Sequence, residues 1–106
     1  MNRPNYTLSE ETVKVYRKVL YCAVYNSYGG QLSNDEIKAV DYICANMEKR
    51  SVSRAVSYYV HGKTLSEIAK AEGVNISSVS RTIDTVNRKL ADILHNYEWY
   101  DKFRIK

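Results

Sequence analysis

The stretch that most constrains this chain is residues 64–90, TLSEIAKAEGVNISSVSRTIDTVNRKL. Thr64 and Glu67 form a T-x-x-E capping box, in which the hydroxyl accepts from a free backbone N–H and the carboxylate reaches back to the cap. A helix starting there places Leu65, Ile68 and Ala69 on one face. Ala69 is small enough for a second helix to cross closely. Gly73 follows four residues later, where a sharp turn calls for positive φ, and Val74 is expected to plug the corner. Asn75 suits the N-cap of the next helix. In that helix Val79, Ile83, Val86, Leu90 and Ile93 recur at steps of four, three, four and three, an apolar stripe. The other face at its start carries Ser77, Ser78, Arg81, Thr82 and Thr85, short polar or bidentate side chains of the kind that read base edges in the major groove. Together these features predict a helix-turn-helix. A generic helical hairpin is the alternative, but it requires neither the Ala-to-Gly spacing nor a bare polar face after Asn75.

The stretch from Arg54 to Leu94 resembles the fourth region of bacterial sigma factors and the LuxR-type helix-turn-helix. RAVSYYVHGKTLSEIA is similar to the lead-in helix, glycine and first motif helix of that family. GVNISSVSRTIDTVNRKL is similar to its turn and recognition helix. The local pattern E-G-V-x-x-x-x-V-S-R is one met in small proteins of Gram-positive bacteria and their phages. The resemblance implies binding of duplex DNA. It does not imply a complete sigma factor, because nothing here matches the region that recognises and melts the −10 element. Glu72 departs from the family, standing where many members have an apolar residue, and is expected to loosen the packing before the turn. Residues before about 50 carry no resemblance.

Composition sets the frame around this motif. A chain of 106 residues with 44% hydrophobic residues, four Gly and one Pro fits one compact, mostly helical domain. The net charge of +4 is uneven. Residues 54–106 hold nine Lys and Arg against six Asp and Glu, and residues 1–53 hold seven against six. The more basic half is the half with the motif, which favours a polyanionic partner. Cys22 and Cys44 are expected to be buried free thiols in a reducing cytoplasm. His61 and His95 are isolated, so no metal site is expected. No secretory signal and no bilayer-spanning apolar run are evident, so a cytoplasmic location is expected.

In chain order, residues 1–6 read as a loose arm. Thr7 with Glu10 repeats the capping box and opens a helix from about Leu8 to Asn26. This helix is apolar over more than half its circumference, through Val13, Tyr16, Leu20, Val24 and Ser27 in one stripe and Val15, Val19 and Cys22 in another. Either it is a central core helix or part of it pairs with a second copy. Gly29-Gly30 ends it. Ser33 with Glu36 caps a helix from about Asn34 to Lys49, with Ile37, Val40, Ile43, Cys44 and Met47 inward. Ser51 or Ser53 is expected to cap a third helix, Val52 to Val60, with Arg54, Ser57 and Tyr58 pointing out. Gly62 ends it. The recognition helix runs on to about His95 or Tyr97.

These placements yield the candidate site. Ser77, Ser78, Arg81, Thr82 and Thr85 are expected to contact bases, Arg81 foremost because its fork pairs with guanine O6 and N7. Lys63, Thr64, Ser66, Lys70, Asn75 and Arg88 are expected at the phosphates. Asp84 is awkward near DNA and either orients Arg81 or Arg88 or faces away. In the tail, Tyr97, Trp99, Tyr100 and Phe103 either fold back to close the core or form a dimer seam. No phosphate loop, zinc signature or activated nucleophile is present, so neither an enzyme nor a cofactor is expected. The expected fold is all-α, one domain of four to six helices: N-terminal helices to residue 50, helix-turn-helix over 51–96 and aromatic tail over 97–106. The expected function is sequence-specific recognition of double-stranded DNA in transcription regulation, as a homodimer reading two half-sites. The alternative is a protein-binding adaptor or inhibitor on the same scaffold, directed to RNA polymerase or another protein.

Overall fold

A computed structural model describes residues 8–25, 32–96 and 99–103, and for 101 and 102 the backbone alone. The protein is all-α, and no strand occurs among the described residues. The order is α1 Glu10–Tyr25, α2 Asn34–Ala45, α3 Lys49–Tyr59, α4 Leu65–Glu72, α5 Ile76–Asn96 and a single turn, α6 Tyr100–Phe103. None of these helices is long and apolar enough to cross a membrane.

Helix α3 is the middle layer. It packs against α1 on one side and α5 on another, while α4 lies on α3 and the first part of α5, and α2 bridges α1 and α5. The apolar stripe of α5 does as its spacing predicts: Val79, Ile83, Val86 and Leu90 are wholly buried and Ile93 nearly so. Each such side chain contributes on the order of 1.5–3 kcal/mol by leaving water. In α1 the inward set is Val15, Tyr16, Val19, Leu20 and Cys22, so the helix serves the core. Val24 and Tyr25, near its end, stay about half exposed.

A polar cluster ties three helices at the centre. The Tyr59 hydroxyl donates to Asn87 Oδ1 at 2.6 Å, and the Tyr16 hydroxyl donates to the Asn87 carbonyl at 3.4 Å. The two rings meet edge to face at 6.3 Å. Among the described residues Asn87 Nδ2 is buried without a hydrogen-bond partner, a loss of about 1–3 kcal/mol. From outside, Arg17 Nε donates to the Tyr59 carbonyl at 2.9 Å, a cation at the negative end of α3.

Several local expectations need correction. Thr7 and Gly29-Gly30 lie outside the described residues; α1 begins at Glu10, and its cap is Ser9, whose Oγ accepts from Thr12 N–H at 3.1 Å. The Ser33–Glu36 capping box forms as expected. Helix α2 stops at Ala45 rather than Lys49, because Asn46 Nδ2 folds back on the Tyr42 carbonyl at 2.8 Å and the chain leaves the helix there. Its inward face is Ala39, Val40 and Ile43, with Met47 beyond the end. Ile37 and Cys44 are exposed rather than buried, about one residue off the core-facing stripe. Helix α3 starts at Lys49, earlier than expected, from an extended Glu48 that makes no side-chain cap, so neither Ser51 nor Ser53 caps it.

The aromatic tail folds back. The Trp99 N–H donates to the Leu94 carbonyl at 2.8 Å, which turns the chain after α5. Trp99 meets Tyr42 edge-on at 5.9 Å. Tyr100 stacks on His95 at 5.2 Å, and its hydroxyl lies 3.1 Å from Thr12 Oγ1. Phe103 is fully buried against the core. Of the two arrangements open to the tail, the folded-back one is seen within the single chain: Phe103 is fully buried and Trp99 and Tyr100 are partly buried against the core, with α6 lying on α1 and α2. Tyr97 lies outside the described residues.

Candidate nucleic-acid interface

The site begins with the turn between α4 and α5. The Thr64–Glu67 capping box forms in both directions: Glu67 N–H donates to Thr64 Oγ1 at 3.1 Å, and Thr64 N–H donates to Glu67 Oε1 at 2.9 Å. Those bonds, with Lys63 nearby, hold the Glu67 carboxyl below its ordinary range. At the other end Gly73 adopts φ 69°, ψ 33°, the left-handed conformation that a side chain disfavours. Val74 N–H then donates five residues back to the Ala69 carbonyl at 3.0 Å, a Schellman-type closure. Ala69 is buried where α4 meets α5, as its size suggests. Val74 does not plug the corner: it stays 37% exposed, because the closure turns it outward.

Helix α5 follows, with the Asn75 carbonyl accepting from Ser78 N–H at 3.1 Å. Ser77, Arg81, Thr85 and Arg88 are all exposed and follow each other at steps of four, four and three, one stripe opposite the buried face. Arg81 Nε donates to the Ser77 carbonyl at 3.3 Å and Arg88 Nε to the Asp84 carbonyl at 3.4 Å, so both stems lie along the helix. Among the described residues no carboxylate forms an ion pair with either guanidinium. Asp84 faces inward and is 5% exposed, so it is absent from the exposed stripe.

Thr82 and Arg54 take different places from those the spacing suggested. Arg54 is not on the outside of α3. It is 6% exposed, and its guanidinium binds Glu72 through Nε at 3.0 and 3.1 Å and through Nη2 at 2.7 Å. Its Nη1 donates to Thr82 Oγ1 at 2.8 Å and reaches the Ser78 carbonyl at 3.5 Å. The Thr82 hydroxyl in turn donates to the Ser78 carbonyl at 3.0 Å. Thr82 is thus half-buried, with its hydroxyl used as donor and acceptor inside the fold, and Ser78 is half-buried beside it. One side chain from α3 pins the last residue of α4 to the first two turns of α5.

Glu72 is where the expectation of looser packing is overturned. Hydrogen bonds from Arg54 hold its carboxyl below the ordinary range, with Arg50 adding a weaker pull. The departure from an apolar residue is compensated by a buried cation. Sequence reasoning missed Arg54 because its neighbours in α3 are polar. The available signal was Glu72 itself, an acid at the last residue of α4 within reach of a cation from a neighbouring helix.

The phosphate candidates sit at the edges of this surface. Lys63, Thr64, Ser66, Lys70 and Asn75 are exposed around the start and end of α4. The Thr64 N–H is already taken by Glu67. Lys89, which the spacing did not single out, reaches Asn46 O at 3.2 Å. Among the described residues no group of His, Cys, Asp and Glu could hold a metal ion. No protein-family model, no curated protein and no solved structure matches the chain.

Proposed function

We propose that the chain is a sequence-specific duplex DNA-binding protein that regulates transcription, using α4, the Gly73 turn and α5 as a helix-turn-helix like that of sigma region 4. One observation carries the reading. From Ser77 to Lys89 the exposed side chains of α5 are polar or basic and none is acidic, because Asp84 is turned into the core. The two acids of α4 are engaged as well, Glu67 by its cap and Glu72 by Arg54. The surface that would enter the groove therefore presents donors and positive charge to phosphates and base edges.

Arg81 and Ser77 are the base-reading side chains, with Thr85 one turn on and Ser78 at the flank. Arg88, Lys70 and Lys63 neutralise phosphates, and Ser66 and Asn75 lie beside them. Thr82 acts through Arg54, holding the angle of α5. A single motif makes few base contacts, so two copies reading half-sites about 34 Å apart are the arrangement we favour.

The test is fluorescence anisotropy with duplex DNA from upstream of the chain's own gene, an unrelated duplex as control, and two salt concentrations. The native duplex should bind more tightly than the control, weaken as salt rises, and lose about 1–3 kcal/mol with Arg81→Ala. Equal weak binding of both duplexes, unchanged in the variant, would sink groove reading by Arg81.

A further inference from the structure

A pocket of about 630 Å³ opens between α1, α2 and α3, within the range that encloses small organic ligands. Its apolar wall comes from Val24 of α1, Met47 just past α2, and Val52 and Val56 of α3. Its polar groups lie along one row. Lys49, Ser53 and Ser57 follow at steps of four on α3, and His61 stands one step beyond the helix. Among the described residues the lining holds no carboxylate. Glu48 and Asp41 are the nearest acids by position in the chain, and both are exposed outside the lining. Lys49 is the first residue of α3, where the helix dipole adds positive charge.

We infer that this pocket takes a small amphipathic anion, an apolar body bearing one carboxylate, with the head at Lys49 and the body along Val52, Val56 and Met47. A purely apolar guest would leave the Lys49 ammonium without a counter-charge, and a cation would be repelled by it. The occupant would also meet the helix that carries the brace, since Val52 and Val56 lie about 160° around α3 from Arg54. It would act there as an effector of duplex binding. That role rests on the proposed DNA reading; the site itself does not.

Decanoate is the probe, titrated calorimetrically into the full chain without DNA and below its micelle concentration. Saturable one-site binding is expected, weakened about tenfold by Lys49→Gln, the loss of one ionic contact of roughly 1.4 kcal/mol. It should vanish in Ser53→Trp, which fills the mouth from an exposed position, with circular dichroism verifying that the variant is folded. Cys44 lines the pocket and is exposed, whereas Cys22 is buried. Alkylation by N-ethylmaleimide therefore reports on Cys44 in the native chain, and decanoate should slow it several-fold. No saturable heat with no protection of Cys44, or unchanged binding in folded Ser53→Trp, would overturn the site. Decanol binding as tightly as decanoate would overturn the anionic head. Decanoate binding that leaves duplex affinity unmoved would overturn the effector role. A chain that binds decanoate but no duplex would overturn the DNA reading and leave this site standing.

Discussion

Arg54 of α3 grips Glu72 at the end of α4, Nη2 to Oε1 at 2.7 Å, while the same guanidinium reaches Thr82 on α5 at 2.8 Å. The geometry of the α4–α5 pair thus depends on a helix outside it. The pair is asymmetric in exposure, with side chains 6% and 33% accessible. Removing the carboxylate leaves a buried cation, whereas removing both charges together leaves apolar contact.

Glu72→Ala should lower stability by about 1–3 kcal/mol, less than a fully buried pair would lose because water reaches Glu72. The double variant Arg54→Met with Glu72→Leu should recover most of that loss. Urea denaturation of the native chain, Glu72→Ala and the double variant checks both statements. A double variant no more stable than Glu72→Ala would show that the brace is not the source.

The same bridge sets a pH dependence. Glu72 has a folded pKa below its unfolded one, chiefly because Arg54 donates to it. Its contribution is complete above the ordinary carboxylate range, about pH 4.3 for an unfolded Glu, and is lost as pH falls through the folded value. The stability gap between the native chain and Glu72→Gln should therefore be flat from pH 7 to about 5.5 and shrink below that. A gap that widens on acidification would contradict the assignment.

Thr82 and Arg81 should separate by their effects. Thr82→Val removes the acceptor for Arg54 and should lower stability by about 1 kcal/mol, with little change in which base pairs the protein prefers. Arg81→Ala should leave stability within about 0.5 kcal/mol and relax that preference. Thermal melts beside binding to a panel of single-base-pair duplex variants would decide it. Relaxed preference in Thr82→Val at full stability would return Thr82 to the groove.

Gly73 tests the turn. No atom lies within 4 Å of where a Cβ would stand, but φ is +69°. Gly73→Ala should therefore lower stability by about 1 kcal/mol through backbone strain alone, and Gly73→Asn by less. Denaturant midpoints check the order.

Phe103→Ala should lower stability by about 3–5 kcal/mol, the range for a buried aromatic ring, because the ring closes the core within one chain. Sedimentation of native and variant chains asks whether association follows it. A variant that keeps its stability but loses a dimer would restore the seam.

What the sequence determined by itself was local. Helix starts are written in short-range chemistry, so the Thr64 and Ser33 capping boxes, the left-handed Gly73 and the buried stripe of α5 were all legible. These depend on residues within a few positions of one another. The exposed stripe of Ser77, Arg81, Thr85 and Arg88 was legible for the same reason, since helical spacing alone puts them on one face. Tertiary structure decided the rest. Arg54 and Glu72 lie on different helices, α3 and α4, so helical spacing says nothing about their contact; only the crossing of α3, α4 and α5 turns an outward arginine into a buried clamp and removes Thr82 from the open face. The tail was undecidable for a like reason. Trp99, Tyr100 and Phe103 are equally suited to a core or a seam, and only the packing of α6 on α1 and α2 buries Phe103 and partly covers Trp99 and Tyr100 within one chain.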